Sequence, residues 1–308
     1  MNATTFKKLL FLIGLGIIYF TQPLSAQNIE SLSRDCNLNN FSSCNVLSEK
    51  YYFGEGIRQD VLKAVELSQK SCAGGNSNGC SNLGLLYSKG EGVRQNKTKA
   101  AALYQMACDG GALTACVNLA VMNEHGEGIK QDKFKATTLY QKSCMVDSSK
   151  GCAALGTMYK NGDGVRQDKF KAVELYQKGC NGGDKDGCSN LGLMYEDGEG
   201  VKQDKFKAVD FYKRSCDGNH AQGCTNLGLI FKNGDGVRQD SFKAAELFQK
   251  GCEGNVPLGC LNLAEFYIFG KGVSQDFSIA LILLGKACDL KSQIGCKAYA
   301  ELKNTGLK

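Results

Sequence analysis

The sequence has no tryptophan, two prolines and two histidines in 308 residues. Two imidazoles, His125 and His220, cannot build a site that needs several histidine ligands, which excludes the common catalytic zinc arrangements. Two prolines leave long stretches free of helix breakers. An excess of positive charge is also missing. The formal net charge is +6, too mild for this length to indicate nucleic acid as a partner. Charged residues make up 22% and hydrophobic ones 43%, a balance that excludes a disordered chain. Long apolar runs are absent after the first segment, and nothing later approaches the roughly 20 residues of a membrane span.

That first segment has the order of an export signal. Lys7 and Lys8 precede an apolar run from Leu9 to Phe20, followed by Thr21-Gln22-Pro23-Leu24-Ser25-Ala26. The run is short for a membrane anchor, and cleavage after Ala26 is expected, giving a secreted mature chain of residues 27–308. No cysteine stands at the cleavage point, so a lipid anchor is not indicated.

Cysteine is abundant, at 16 residues. The positions are 36/44, 72/80, 108/116, 144/152, 180/188, 216/224, 252/260 and 288/296: pairs 8 apart, repeating every 36 residues without a slip. A fixed period of this size is the mark of a repeat array, so the two domains that the length suggests give way to one solenoid over 27–308. It holds seven full repeats between Cys44 and Cys288 plus terminal half-units.

Numbering each unit from the second cysteine of a pair, offset +3 is always Leu (Leu47 to Leu263), +4 is small, and +7 is an aromatic except at Asn123. These offsets share one face of a helix, helix A. Glycine at +10 and +12 in every unit ends it, the first being an expected left-handed cap. Val or Ile follows at +13, Gln at +15, and Asp (Asn96 once) at +16, a good N-cap for helix B. Helix B carries Ala at +20, Leu or Phe at +23, usually an aromatic at +24, and the next cysteine at +28. The unit is helix–turn–helix, and the fold class is all-α.

Residues eight apart on one straight helix lie about 12 Å apart, while a disulfide needs Cα atoms within roughly 7 Å. Bonded partners therefore flank a chain reversal, which glycine-rich segments such as Ala73–Gly79 permit. This favours the pairs Cys36–Cys44, Cys72–Cys80, Cys108–Cys116, Cys144–Cys152, Cys180–Cys188, Cys216–Cys224, Cys252–Cys260 and Cys288–Cys296. Pairing across 28 residues, as Cys44 with Cys72, stays open. The spacing and the scarcity of histidine fit neither zinc nor haem, and no metal or cofactor is expected.

The unit Cys188-x-Asn-Leu-Gly-x-x-Tyr-x-x-Gly-x-Gly-Val-x-Gln-Asp-x-x-Lys-Ala, running on to Cys216, resembles the Sel-one-like repeat (SLR), a relative of the tetratricopeptide repeat. With the cysteine pairs and the export signal, the chain resembles the Helicobacter cysteine-rich protein family. That resemblance implies an α/α right-handed superhelix with one disulfide per repeat, located in the periplasm or medium. It also implies penicillin binding and β-lactamase activity, and a link to host immune recognition.

The residues themselves do not supply lactamase chemistry. No Ser stands three before any Lys, and Ser-Asp-Asn and Lys-Thr-Gly are absent. A threonine variant, Thr157-Met-Tyr-Lys160, reads as repeat-face alternation, and no nucleophile can be named. Binding, with at most slow hydrolysis, is the expectation for a β-lactam, a peptidoglycan fragment or an extended peptide. The alternative is a non-catalytic interaction scaffold for a bacterial envelope or host protein. The amides at +2, Asn82, Asn118, Asn190, Asn226 and Asn262, are the candidate ligand contacts, because an Asn amide can both donate to and accept from a peptide backbone. A ladder of the same amides between neighbouring repeats is an equal reading. The Lys stripes at +19 and +26 read as a solvated convex face, Tyr104, Tyr140, Tyr176 and Tyr212 as packing between repeats, and His125 and His220 as surface. Nucleic acid and membrane spans are not expected, and a monomer is.

Overall fold

The computed structural model describes residues 24–306, and the export signal proposed for residues 1–26 falls almost wholly outside them. Among the described residues there are sixteen α-helices and no strands. The chain divides into two compact units, Met1–Ala112 and Leu113–Lys308. The first holds α1 (Leu24–Asn37), α2 (Phe41–Phe53), α3 (Val61–Ala73), α4 (Ser77–Lys89) and α5 (Lys97–Asp109). The second holds α6 (Leu113–His125), α7 (Lys133–Met145), α8 (Ser149–Asn161), α9 (Lys169–Asn181), α10 (Lys185–Asp197), α11 (Lys205–Asp217), α12 (Ala221–Asn233), α13 (Ser241–Glu253), α14 (Pro257–Phe269), α15 (Phe277–Asp289) and α16 (Gln293–Asn304). Even-numbered elements from α2 onwards are helix A and odd-numbered ones from α3 helix B. Within each unit every helix packs on its neighbour in sequence, and successive A helices also touch, as α2 on α4 and α8 on α10.

The helix ends follow from side-chain chemistry. Asp60, Asn96, Asp132, Asp168, Asp204, Asp240 and Asp276 each accept the backbone N–H three residues on, capping helix B. Helix A ends on a left-handed glycine whose N–H returns to the last turn. Gly54 has φ +74° and donates to the Lys50 carbonyl, a conformation that costs any residue with a Cβ. The Gln at +15 completes this end. The amides of Gln59, Gln95, Gln131, Gln167, Gln203, Gln239 and Gln275 all donate to a carbonyl seven residues back, at 2.6–2.8 Å. These bonds satisfy a carbonyl that a terminating helix leaves orphaned.

At the other end of the repeat the chain reverses through the cysteines. Cys36–Cys44, Cys72–Cys80, Cys144–Cys152, Cys180–Cys188, Cys216–Cys224, Cys252–Cys260 and Cys288–Cys296 are bonded, with Cα atoms 4.4–4.7 Å apart. Cys108 and Cys116 are disulfide-bonded too, and among the described residues no cysteine is free. Each of the seven bridges with Cα distances above joins the last turn of one helix to the first turn of the next.

The core lies between the two helices of a repeat. The +3 leucines and +20 alanines are buried, and the rings at +24 lie fully inside. Tyr176 and Tyr212 share core clusters with the following repeat, Tyr176 with Leu191 and Met194 and Tyr212 with Leu227 and Ile230, so these rings pack between repeats as expected and, in addition, against the small residue of their own. A Cβ added at Gly84, Gly156, Gly192 or Gly228 would come within 2.7–2.9 Å of the ring of Tyr104, Tyr176, Tyr212 or Phe248. The small residue at +4 is thus the space that the aromatic at +24 fills. Where +4 is Ser48, +24 is Ser68, and the two hydroxyls lie 2.7 Å apart. Asn123, the exception at +7, is buried and donates to the Leu119 carbonyl, so it costs no unpaired group.

Two outcomes follow. Gly192→Ala should destabilise the protein by about 1–3 kcal/mol through overpacking against Tyr212, read as a lower denaturation midpoint. Removing one clasp, as Cys180→Ala with Cys188→Ala, should cost about 2.5 kcal/mol, the loop-closure value for a loop of this length, with the helical circular dichroism signal retained at low temperature.

Candidate functional site

The amides at +2 lie along helix A, and the structure uses several of them internally. Asn82 is half-buried and donates from Nδ2 to Asn45 Oδ1 and Glu49 Oε1 on α2, both at 2.9 Å. Asn226 accepts from Gln222 at 2.9 Å and hydrogen-bonds the Tyr212 hydroxyl. Asn262 is 7% exposed, donates to the Leu258 carbonyl and accepts from Lys232, which also pairs with Glu265. Asn118 and Asn190 are half-buried. Links between neighbouring A helices therefore exist at Asn82 and Asn262, while Asn118 and Asn190 keep partly open amides on the same row.

The lysines at +19 do more than solvate helix B. Lys99 and Lys171 each lie 4.2 Å from the ring centroid of Tyr87 and Tyr159, and donate to the same phenol oxygens. Lys243 sits 4.5 Å from the Phe231 ring. These ammonium–ring contacts tie helix B to the +7 aromatic of helix A. At +26, Lys178 and Arg214 donate to the carbonyls of Cys144 and Cys180, tethering helix B to the reversal before it. Neither set is a purely solvated stripe, contrary to expectation.

Charge also crosses repeats at the other end of helix B. Lys133, Lys169 and Lys205 pair with Asp163, Glu199 and Asp235 of the following repeat. Each lysine, as hydrogen-bond partner, holds its carboxyl below the ordinary value. His125 is exposed, as expected. His220 is not simply surface: it is the N-cap residue of α12, with Nδ1 2.9 Å from Ser215 Oγ and Nε2 2.9 Å from Asp186. Asp184, capping α10, is pushed above the usual carboxylate value chiefly by burial.

The buried hydroxyls are similarly engaged. Thr157 lies 3.0 Å from the Tyr176 hydroxyl, so the threonine of the Thr-x-x-Lys sequence satisfies a buried phenol. Tyr140 and Tyr212 donate to Glu124 and Glu196, and burial first, then the adjacent carboxylate, push both phenols far above 10. Among the described residues no group of three or more His, Cys, Asp or Glu side chains is placed to hold a metal ion. No helix among them is long and apolar enough to cross a membrane.

These features define a class, a disulfide-clasped helical repeat protein whose polar side chains mostly serve the seams between helices. The Sel1 repeat model matches seven times, at residues 42–76, 77–111, 113–147, 149–184, 185–220, 221–256 and 257–292. The chain belongs to the Sel1-like repeat (SLR) family, which includes the Helicobacter cysteine-rich proteins. It is 33% identical to Helicobacter pylori cysteine rich protein B over 42% of this chain and 92% of that one, with a TM-score of 0.35, so that likeness is one of sequence. The structure of c5321, a protective antigen present in uropathogenic Escherichia coli strains displaying an SLR fold, is 26% identical with a TM-score of 0.71 over 91% of this chain. The chain spans 60% of that protein's length. A Sel1 repeat protein from Oxalobacter formigenes shares the fold at 22% identity, with a TM-score of 0.70 over 79% of this chain and 96% of that one. No curated protein matches the chain.

The raised phenol pKa values set an alkaline limit. An unfolded tyrosine ionises near 10, whereas Tyr140 and Tyr212 stay neutral in the folded chain well above that. Their contribution is therefore complete below pH 10 and is lost as pH rises beyond it. Thermal midpoints should fall above pH 10, and the fall should be shallower in Tyr140→Phe/Tyr212→Phe, measured by circular dichroism at constant ionic strength.

Proposed function

We propose that this protein is a non-catalytic interaction scaffold for protein or extended-peptide partners, exported to an oxidising compartment after removal of residues 1–26. The carrying observation is the row of helix A amides at the repeat seams, of which Asn118 and Asn190 remain partly open. An amide on a rigid helix can donate to and accept from a peptide backbone without demanding a particular side chain. The rigidity comes from the clasps and from the ring-in-glycine packing, which hold successive A helices in contact. The disulfides persist only outside a reducing cytoplasm, which supports export to the periplasm or medium. The protective-antigen description of the Escherichia coli relative supports contact with host molecules.

Binding or slow hydrolysis of β-lactams is the competing reading. The hydroxyls of Thr157, Tyr176, Tyr140 and Tyr212 are occupied in structural hydrogen bonds, which leaves no activated nucleophile among them. A muropeptide shares its peptide backbone with the proposed partner class and would be read by the same amides.

Oxidised protein, freed of contaminating lactamases, should neither turn over a chromogenic cephalosporin nor retain a fluorescent penicillin on a denaturing gel. Turnover or covalent labelling would overturn the non-catalytic reading. Peptides enriched from a displayed library of unstructured sequences should bind Asn118→Ala/Asn190→Ala about tenfold more weakly, two lost hydrogen bonds' worth. Unchanged affinity would remove these amides from the site.

A further inference from the structure

The second unit carries a row of exposed phenylalanines that the amide face does not use. Phe134, Phe170, Phe206 and Phe242 occupy offset +18, the second residue of α7, α9, α11 and α13, and are 72%, 74%, 75% and 77% exposed. One exposed phenylalanine is ordinary on a protein surface. The same ring left out in water in four successive repeats is not, because packing gives it nothing to do.

Each ring follows a basic residue by four positions: Lys130, Arg166, Lys202 and Arg238 at offset +14. These four side chains are exposed and form no hydrogen bond or ion pair with the described residues. The neighbouring charges are spoken for. Asp168 and Asp204 cap their helices, and Lys169 and Lys205 pair with Glu199 and Asp235. One cation per repeat without an ion-pair partner therefore lies four residues before an uncovered ring, and the recesses there hold one carboxylate, Asp168 or Asp204, against three cations, Arg166, Lys169 and Lys171 or Lys202, Lys205 and Lys207.

Between the elements lie open recesses. One of about 780 Å³ is walled by Phe134 and Phe170 and floored by Tyr159, Val165 and Gly200, with Arg166 on its rim. The next, of about 690 Å³, is lined by Phe206 as its one phenylalanine, with Tyr195, Val201, Gly236 and Lys202. A recess of this size between rings accepts a side chain. A flat lipid surface would have no use for it.

We propose that the turn edge of the second unit docks an acidic segment of another protein. Apolar side chains of that segment enter the recesses beside the phenylalanines, and its carboxylates meet Lys130, Arg166, Lys202 and Arg238. The complementarity is of charge and of spacing together, since both features recur in each of the four successive repeats from Phe134 to Phe242. In the first unit the +14 cations Arg58 and Arg94 are kept and the +18 positions hold Leu62, also exposed, and Thr98, so that unit lacks the phenylalanine.

The test is fluorescence anisotropy of the oxidised protein with a fluorescein-labelled peptide of repeating Glu-Asp-Phe-Gly units. Saturable, salt-sensitive binding is expected. Phe170→Ser/Phe206→Ser and, separately, Arg166→Ser/Lys202→Ser should each weaken it about tenfold, or about 1.4 kcal/mol. Replacing the peptide's phenylalanines by serine should do the same. These residues are exposed, so circular dichroism should be unchanged. Asn118→Ala/Asn190→Ala should leave this binding intact, which separates the edge from the amide row. Absence of saturable binding, or equal affinity in the variants, overturns the proposal. So does binding confined to phosphatidylglycerol–phosphatidylcholine vesicles and lost in the same variants, which would assign the edge to lipid.

Discussion

Everything in this molecule depends on the reversal that a disulfide holds between one helix B and the next helix A. A pair of thirteen-residue helices buries too little apolar surface to stand alone. Stability has to come from stacking one pair on the next, and stacking needs the connection between pairs to keep one geometry. The bridge supplies it by fixing Cα atoms 4.4–4.7 Å apart across an eight-residue span. It also narrows the unfolded ensemble, which stabilises the folded state without adding to the core.

The opposite end of each repeat is held by hydrogen bonds. The left-handed glycine, the capping Asp and the +15 Gln close the A-to-B turn by satisfying groups that two helix ends leave exposed. Between these ends the two helices meet through a size exchange, a ring at +24 against the space above a glycine at +4. Where both the glycine and the ring are missing, Ser48 and Ser68 join by their hydroxyls, while the repeat with Ala120 at +4 keeps Tyr140 at +24. The lysines at +19 and +26 then fasten helix B to the +7 ring and to the preceding reversal. Residues that read as surface charge therefore belong to the same fastening system. This division of labour matters for function. Where seams consume most polar groups, the side chains left over are informative, and here they are a few amides on helix A and the aromatic–cationic turn edge of the second unit.

Much of this was legible in the sequence because the signal is local and repeated. The 36-residue period, the two helix faces, the glycine stop and the Asp cap each rest on spacing and residue type along the chain. The candidate site was less legible. Offset +2 reads as a free row, yet Asn262 is buried and Asn82 binds Glu49 on the neighbouring A helix. Whether an amide faces a ligand or a seam depends on a residue more than thirty positions away. The phenylalanines at +18 lie opposite the +20, +23 and +24 core stripe of helix B, so helical spacing alone could have placed them on the outer face.

Spacing and residue type alone were enough for the repeat, the all-α class, the positions of the helix ends and the oxidising compartment. Which neighbour each polar group serves emerged only in the folded chain: that the +15 glutamines close helix A, that Tyr212 fills the space of Gly192, that Lys171 covers Tyr159, and that Phe170 covers nothing. Local pattern sets backbone conformation, but a side chain's partner is chosen by how the helices stack.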